Sequence, residues 1–345
     1  MDFTSDNAAG AAPEILEAMA RANGGTAASY GADTITAQLV RRFSEIFERE
    51  VAVFPVVTGT AANALALATL TPPYGAVMCH ELAHVHVDEC GAPEMFSGGA
   101  KLVPLSGPAA KIDPAALAAA LAALPAGMVH HVQPAALTLT QSTELGAVYT
   151  PEEIGALVEI TRGRGLRVHM DGARFANAVA ALGLAPAEMT WKAGIDIMSF
   201  GATKNGAIAA EAVIVFDAEL ARDIAFRRKR AGHLLSKMRF LSTQLDAYLE
   251  DGLWLRLAAH ANDMAARLGA GLAATPGATL HIEPQANEIF VRLPTATIAR
   301  LRKGEARFHP WPMPGDDAGA RTIRLVTSFQ SLPSEIDTFL ELASG

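Results

Sequence analysis

The chain has 345 residues, half of them hydrophobic, and a formal net charge of −8 at neutral pH. The acidic charge argues against a nucleic-acid partner, because phosphates are bound by a basic face. The length favours two domains, and a mean hydropathy of +0.22 indicates apolar surface hidden between subunits, so we expect a homo-oligomer.

Residues 1–33 predict an N-terminal arm with one short helix from Pro13 to Arg21. No apolar run and no basic residue precede Arg21, so no signal peptide is expected and the predicted location is the cytoplasm. Cys79 and Cys90 are too few for a disulfide framework and are interpreted as reduced thiols.

A predicted helix from about Thr34 to Arg49 leads to a predicted strand, Val51 to Val57. The small-residue turn Thr58–Asn63 follows, and then a helix from Ala64 to Leu70. Free backbone N–H groups at the start of a helix attract phosphate. The turn lacks the Gly-Lys-Thr/Ser ending of a nucleotide-binding loop, so it is a weak signal by itself.

The densest group of potential metal ligands lies between His80 and Cys90. His80 and His84 would share a face of a helix, whereas His84 and His86 would share a face of a strand. No single element fits the whole set, and Cys90 has no partner at the spacing of a zinc site, so we do not predict a metal site. One histidine at a strand end could instead lie flat on an aromatic cofactor.

The segment from Pro114 to Thr143 has no charged side chain and is long enough to span a bilayer. Prolines, glycines and histidines interrupt it, so it predicts no membrane span. We interpret it as a buried helix that ends near Leu124 and a core strand, Met128 to Val132. His130 and His131 would then be structural.

Strands and helices alternate through the next hundred residues, which indicates an α/β fold with a mostly parallel sheet covered by helices. A helix is predicted from Thr150 to Gly163, and another from Ala187 to Ala193. The last strand of this sheet is predicted from Ala212 to Phe216. The large domain is assigned to residues 34–245.

A long helical region from Glu219 to about Ala274 precedes a change of pattern. Short alternating segments then predict a small α+β domain, assigned to residues 246–345, with a closing helix from Pro333 to Ala343. Its strands are predicted at Thr279–Ile282, Glu288–Leu293, Arg307–Trp311 and Thr322–Thr327. The basic run Arg227–Arg230 is interpreted as a solvated helix face.

Two apolar runs each end in polar residues, the first at Asp171 and the second in the segment Gly201–Gly206, which contains Lys204. Ligands of open α/β sheets collect at the carboxyl ends of the strands, so both side chains should face one crevice. A lysine and a carboxylate are what pyridoxal phosphate requires. An ordinary salt bridge is the alternative; Gly201 and Gly206 favour the cofactor, because they would let it approach the backbone. The Thr203 hydroxyl would also lie beside it.

Arg324 lies inside a predicted strand, where a guanidinium must find an anion. A structural carboxylate is one candidate, and the carboxylate of a substrate is the other, because arginine binds a carboxylate through two parallel hydrogen bonds.

These motifs resemble the low-specificity L-threonine aldolases, fold type I pyridoxal-phosphate enzymes of the β-eliminating lyase group. The resemblance rests on His169–Arg174, Thr203–Gly206, Thr58–Thr60 and Ala83–Val85 followed by Glu89, and runs from Ser5 to Thr327. The stretches His84–Glu94 and Arg227–Phe240 resemble a bacterial branch that includes phenylserine aldolases.

The resemblance implies a role for each matching residue. Lys204 would carry the cofactor covalently, Asp171 would pair with its ring nitrogen, and His84 would stack on the ring. Gly59 and Thr60 would bind its phosphate. The substrate carboxylate would be held by Ser5, Arg174 and Arg324.

The implied reaction cleaves L-threonine, L-allo-threonine or a related β-hydroxy-α-amino acid to glycine and an aldehyde, with His84 or His86 as the base. Many relatives have Asn-Thr-His where this chain has Gln141–Thr143, so no histidine role transfers there. A dimer-built tetramer with active sites at subunit interfaces is expected.

Three alternatives stay open from the sequence. The chain could be a phenylserine aldolase, or another fold type I enzyme such as a β-eliminating lyase or an aminotransferase. A metal-binding protein that uses the His80–Cys90 cluster is the third.

Overall fold

The computed structural model describes residues 1–345 and contains two separate β-sheets. The large sheet consists of β1 (Ala52–Val56), β2 (Gly75–His80), β3 (Lys101–Leu105), β4 (Gln133–Thr140), β5 (Arg167–Gly172), β6 (Ile197–Gly201) and β7 (Glu211–Val215). Its order is β1-β7-β6-β5-β4-β2-β3. The pairs among β2 to β6 are parallel, whereas β7 runs antiparallel to both β1 and β6. The predicted α/β fold with a mostly parallel sheet is confirmed.

The small sheet is antiparallel, has the order β10-β11-β9-β8, and lies near the carboxyl end of the chain. Its strands are β8 (Thr279–Leu280), β9 (Glu288–Pro294), β10 (His309–Pro310) and β11 (Ala320–Val326). All four match predicted strands. The predicted domain boundaries at residues 33 and 245 stay a prediction.

Thirteen α-helices accompany the sheets. They are α1 (Pro13–Ala22), α2 (Thr34–Ile46), α3 (Gly59–Leu70), α4 (His84–Val87), α5 (Ala92–Ser97), α6 (Pro114–Ala123), α7 (Pro151–Arg162), α8 (Phe175–Leu182), α9 (Ala218–Arg230), α10 (Arg239–Leu249), α11 (Leu253–Ala273), α12 (Thr295–Lys303) and α13 (Pro333–Ser344). None combines the length and the apolar character that crossing a membrane requires.

The large core packs aromatic rings against the inner strands of the large sheet. Phe200 of β6 meets Phe43 edge to face, with ring centroids 5.0 Å apart, and Trp254 of α11 lies 5.7 Å from it. Two-thirds of helix α3 is alanine and leucine, and the helix is buried almost all round, as expected for a helix enclosed by protein. The N-terminus of this helix is therefore held rigidly against the sheet.

A second core joins the N-terminal arm to the small sheet. Phe3 packs edge to face on Phe339 of α13, with centroids 5.3 Å apart. The Phe3 backbone donates to the Arg307 carbonyl and accepts from Val326 N–H, each at 2.9 Å. The start of the predicted arm thus lies on the C-terminal part of the chain, whereas Ala12, Ile15 and Ala18 pack into the large core.

Two predicted elements of the large domain are wrong. Met128 to Val132 is not a strand: the segment is a turn in which His130 and His131 are exposed, and β4 begins only at Gln133. Ala187 to Ala193 is not a helix, since only Trp191–Ala193 forms a short 3-10 turn. In both segments the apolar composition suggested a regular element, but the chain forms that kind of element nearby: β4 begins at Gln133, and α8 ends at Leu182.

Other elements were missed. Strands β2 and β3 and helices α8 and α12 were not predicted, and α3 begins at Gly59, so the supposed turn up to Asn63 is already helix. Strand β3 contains Pro104, which a strand tolerates at the edge of a sheet, where β3 lies. The basic run Arg227–Arg230 ends α9. Lys229 and Arg230 are exposed, whereas Arg227 and Arg228 are half-buried, and the Arg228 guanidinium lies 5.3 Å from the centre of the Phe54 ring.

Candidate active site

A cavity of about 340 Å³ opens between the start of α3 and the carboxyl ends of β5 and β6. Five of the nine residues that the sequence assigned to a site line it, namely Gly59, Thr60, His84, Asp171 and Lys204. The other four, Ser5, His86, Arg174 and Arg324, do not line it. The crevice predicted at the strand ends therefore exists, and Asp171 and Lys204 share it.

Lys204 is presented by a 3-10 turn, Thr203–Asn205, that follows β6 directly. The Asn205 amide anchors this turn by donating to the Tyr248 hydroxyl at 2.7 Å and to the Trp254 carbonyl at 2.8 Å. Gly206 closes the turn with a φ of +112°, which L side chains rarely adopt. The lysine thus stands on a short segment that is fixed from both ends.

Glu211 lies next to this turn, at the start of β7. It is buried, lines the cavity, and accepts the Ala202 N–H at 2.8 Å. Burial raises its pKa to about 7, against the opposing effect of hydrogen bonds from Thr203 and Ala202. The group can therefore change its charge near neutral pH, within the same cavity as Lys204.

Asp171 is the buried penultimate residue of β5 and is held through both carboxylate oxygens. Oδ1 accepts the Ala173 N–H at 3.0 Å, and Oδ2 accepts from the Asn63 amide at 2.8 Å. His169, two residues earlier on β5, bonds Thr138 and Ser199 through its two ring nitrogens. Burial lowers the pKa of His169 to about 4, so its ring is neutral and the aspartate has no imidazolium partner behind it.

The N-terminus of α3 forms another wall of the cavity. The Thr58 side chain caps the helix by accepting the Ala61 N–H at 3.1 Å, while Gly59 and Thr60 occupy the first two helical positions and line the cavity. N–H groups at these positions have no acceptor within a helix, and the helix dipole adds partial positive charge. This wall suits an anion such as phosphate.

His84 begins α4 and is held by two acidic residues. Its Nδ1 lies 2.9 Å from Oε1 of Glu89, and its backbone N–H donates to Glu144 at 3.0 Å. The hydrogen bond with Glu89 raises the pKa of His84, against the effect of burial. His86 is exposed on the same short helix, so of the two histidines only His84 lines the cavity.

Glu144 directly follows the segment Gln141–Thr143 at the end of β4. Its Oε1 accepts both the Thr140 hydroxyl, at 2.7 Å, and the His84 N–H. Burial raises the pKa of Glu144 to about 7. A carboxyl group, and no histidine, therefore connects the end of β4 to His84.

Arg174 is enclosed by two buried carboxylates. Its Nε donates to Asp6 at 2.7 Å and its second terminal nitrogen donates to the same group at 3.2 Å. Glu288 lies 3.0 Å from the remaining nitrogen, within ion-pair distance although not aligned as a hydrogen bond. Ser5, which was predicted beside Arg174, caps the turn Asp6–Ala8 by accepting the Asn7 N–H.

Arg324 is half-buried on β11 with its guanidinium 4.8 Å from the centre of the Trp311 ring. One terminal nitrogen donates to the Thr4 carbonyl at 3.2 Å, and Nε has no hydrogen-bond partner. Burial lowers its pKa, an effect that nearby Glu288 partly opposes. No carboxylate is paired with this arginine, so it keeps an unused donor.

The glycines and the threonine near Lys204 also have structural roles; Gly201 lines the cavity, and the approach of a cofactor there stays a prediction. A Cβ on Gly201 would lie 2.5 Å from the Ala173 carbonyl oxygen, so glycine is required there by the crossing of two chain segments. Gly206 is required by its positive φ. The Thr203 hydroxyl accepts the Ala210 N–H at 3.2 Å, so it braces the turn, although Thr203 does line the cavity.

Several residues of the site were not singled out from the sequence as site residues, although Glu89 had been noted as part of the resemblance. They are the buried residues Asp6, Asn63, Glu89, Glu211 and Glu288, and the half-buried Glu144, one carboxylate oxygen of which is buried. What they share is burial of a polar group, which a single sequence does not reveal. Across the chain, no three His, Cys, Asp or Glu side chains converge to hold a metal ion, and both cysteines are free.

The chain matches the family model of beta-eliminating lyases over residues 2–295, and it therefore belongs to that family. It is 46% identical, over 307 residues, to the low specificity L-threonine aldolases of Pseudomonas sp. (strain NCIMB 10558) and of Pseudomonas aeruginosa; each alignment covers 89% of this chain and 88% of the relative. The solved structure of Leishmania major threonine aldolase superposes with a TM-score of 0.92 at 31% identity, covering 99% of this chain and 98% of that one.

Proposed function

We propose that this lyase cleaves L-threonine, L-allo-threonine or a related β-hydroxy-α-amino acid to glycine and an aldehyde, with pyridoxal phosphate as its cofactor. The observation that carries the proposal is the convergence of Lys204, Asp171 and the N-terminus of α3 on one cavity. The 46% identity to low specificity L-threonine aldolases supports the choice of substrate class.

The residues of the cavity fit this cofactor. Lys204 supplies the amine that would hold it covalently, and Gly59 and Thr60 offer free N–H groups to its phosphate. Both oxygens of Asp171 are fixed by hydrogen bonds from the protein, so the carboxylate is oriented toward its partner before that partner binds. Bound pyridoxal phosphate would take up the electron pair that is released when the Cα–Cβ bond breaks.

The base of the reaction is assigned to His84, and not to His86. Cleavage requires that the β-hydroxyl group of the substrate lose its proton. His84 lines the cavity, and its pairing with Glu89 through Nδ1 leaves Nε2 without a protein partner. His86 is exposed and does not line the cavity. A role for His86 as the base, acting through a water molecule, stays a prediction.

The substrate carboxylate is assigned to Arg324, with Ser5 and Arg174 as further candidates. Arg324 has an unused Nε–H, and a guanidinium can bind a carboxylate through two parallel bonds. Arg174 is already held by Asp6 and Glu288. We therefore assign it first to the ordering of the arm, and its contact with substrate stays a prediction.

Assembly and location stay predictions as well. We propose a dimer-built tetramer with active sites at subunit interfaces, in line with the mean hydropathy of +0.22 and with exposed apolar side chains such as Met95 and Phe226. The cytoplasmic location likewise stays a prediction.

Replacement of Lys204 tests the cofactor assignment. Lys204→Ala should abolish the visible absorbance of bound cofactor and lower the rate of glycine release more than about 1,000-fold, because no other amine lines the cavity. Lys192→Ala is the matched control, since Lys192 forms ion pairs only with Glu48 and Glu188 outside the cavity. Equal behaviour of the two variants would overturn the assignment.

The substrate class is tested by product analysis with L-threonine, L-allo-threonine and phenylserine side by side. An aldolase releases glycine and an aldehyde, whereas an aminotransferase or an eliminating enzyme yields a keto acid. A strong preference for phenylserine would identify the phenylserine branch. Keto acid in place of glycine would refute the proposed reaction.

A further inference from the structure

Asn63 lies between two acidic side chains at the wall of the cavity. Its Nδ2 donates to Oε1 of Glu89 and to Oδ2 of Asp171, each at 2.8 Å. All three side chains are buried, with at most 4% of their surface exposed. Both amide hydrogens of Asn63 are therefore used by carboxylates.

The orientation of this amide is fixed by its two acceptors. A flipped amide would place Oδ1 against two carboxylate oxygens, which repel it. In the orientation that the structure shows, Oδ1 is buried without a donor. An unsatisfied buried acceptor is unusual in a folded protein, which indicates that the contact with the two carboxylates dominates at this position.

The two carboxylates connect Asn63 to two different parts of the site. Asp171 faces the cavity, while Glu89 contacts Nδ1 of His84 at 2.9 Å. A continuous line of contacts therefore runs from His84 through Glu89 and Asn63 to Asp171. It joins the base and the ring-binding carboxylate of the proposed reaction.

We propose that Asn63 is a positioning residue that fixes the orientation of Asp171 and, through Glu89, sets the charge of His84. The part concerning catalysis rests on the proposed function. The coupling between Asn63 and His84 rests only on the contacts within the protein, so it can be tested separately.

The charge of His84 depends on four neighbouring groups. Glu89 and Asp171 favour the protonated ring and Lys204 opposes it, while Glu144 accepts the backbone N–H of the same residue. Burial raises the pKa of Glu89, and the hydrogen bond from Asn63 opposes that rise. The Asn63 amide thus favours the ionised form of Glu89, and an ionised Glu89 raises the pKa of His84 and so makes its ring a stronger base.

Asn63→Ala removes the hydrogen-bond donor to Glu89, so the pKa of Glu89 should rise. A neutral Glu89 would no longer be an anionic partner for His84. The pKa of His84 is then expected to fall by about one unit. Glu89→Gln should lower it in the same way. Because both changes act on one contact, the double variant should show no further fall. Asn63→Ser, which keeps one donor, should give a smaller shift.

Titration of His84 by NMR, in protein with and without added pyridoxal phosphate, measures this coupling directly. Asn177→Ala is the matched control, because Asn177 is also buried but donates to Asn262 outside the cavity lining. The control should leave the pKa of His84 unchanged. In the loaded enzyme, Asn63→Ala should also lower kcat about tenfold and move the acid limb of kcat/KM to lower pH.

An unchanged pKa of His84 in both Asn63→Ala and Asn63→Ser would overturn the proposal, as would a double variant whose shift is the sum of the single shifts. The outcome for the proposed function is separate. Wild-type protein that releases no glycine refutes the aldolase reaction, whereas the expected pattern of His84 titrations still supports the role of Asn63.

Discussion

Replacing Arg174 by methionine tests whether this arginine is primarily a structural ion-pair partner. The variant leaves Asp6 and Glu288, both about 2% exposed, without their shared cation. Removal of one member of a buried ion pair typically costs about 3–5 kcal/mol, since the remaining charge stays buried. A loss of that size is a large part of the total stability of about 5–15 kcal/mol that is usual for a protein.

Urea denaturation, followed by the fluorescence of the three tryptophans, gives the free energy of unfolding. Arg267→Met is the matched control, because Arg267 also forms a bidentate pair, with Asp337, but both side chains are 49% exposed. An exposed pair contributes about 0–1 kcal/mol. The Arg174 variant should therefore be destabilised several times more than the control.

The pH dependence gives a second measurement. In the wild type, burial opposes ionisation of Asp6, but the charges of Arg174 and Lys204 outweigh burial and lower its pKa. This contribution is present at neutral pH and is lost as the pH falls through the lowered pKa. Without the guanidinium, burial and mutual repulsion should raise the pKa of both Asp6 and Glu288. A carboxyl group whose pKa is raised by folding makes the folded state less stable as the pH rises. The deficit of the variant should consequently be larger at pH 8 than at pH 5.

Equal losses in the Arg174 and Arg267 variants would refute the structural assignment of Arg174. A loss of stability in the Arg174 variant that is larger at pH 5 than at pH 8 would refute the electrostatic explanation.

Three further predictions concern the cavity and its surroundings. Asp171→Asn should lower kcat far more than the content of bound cofactor, because a neutral amide does not keep the ring nitrogen protonated; near-normal glycine release by this variant would remove Asp171 from the mechanism. Arg324→Lys keeps the charge but loses the fork of donors, so kcat/KM for L-threonine should fall at least about tenfold while the cofactor spectrum stays intact; loss of cofactor with normal threonine binding would show a structural role instead. The pKa of Glu211 is raised to about 7, so ionisation of this group costs the wild type stability as the pH rises. The free energy of unfolding of Glu211→Gln, relative to the wild type, should therefore increase on the order of 2 kcal/mol from pH 5 to pH 8. A difference that does not vary with pH in urea titrations would contradict this assignment.

The sequence alone determined the fold class and the centre of the site. Apolar runs that end in Asp171 and in Gly201–Gly206 predict strand ends, and the carboxyl ends of neighbouring parallel strands meet at one edge of a sheet. Strands β5 and β6 are parallel neighbours in the structure. The arrangement of Asp171 and Lys204 thus followed from local pattern and from a general rule of sheet geometry.

Some local predictions failed because the sequence pattern does not report burial. Met128 to Val132 has the composition of a strand, yet Val129 is 93% exposed, since the preceding turn directs the chain into solvent before β4 begins. Gly201 was attributed to the approach of a cofactor; it lines the cavity, but it is also required by the carbonyl of Ala173, which the sequence did not indicate. Both findings concern which atoms become neighbours after folding.

Only the tertiary structure decided the partners of the charged groups. Arg174 meets Asp6 across 168 positions of sequence, and Asn63 meets Asp171 across 108. Such contacts have no local signature, because a buried charge is compensated by whichever group the fold brings within hydrogen-bonding distance. The sequence therefore determined which residue types the chemistry uses, and the packing of the arm, α3 and the two sheets decided which of those residues are free to act.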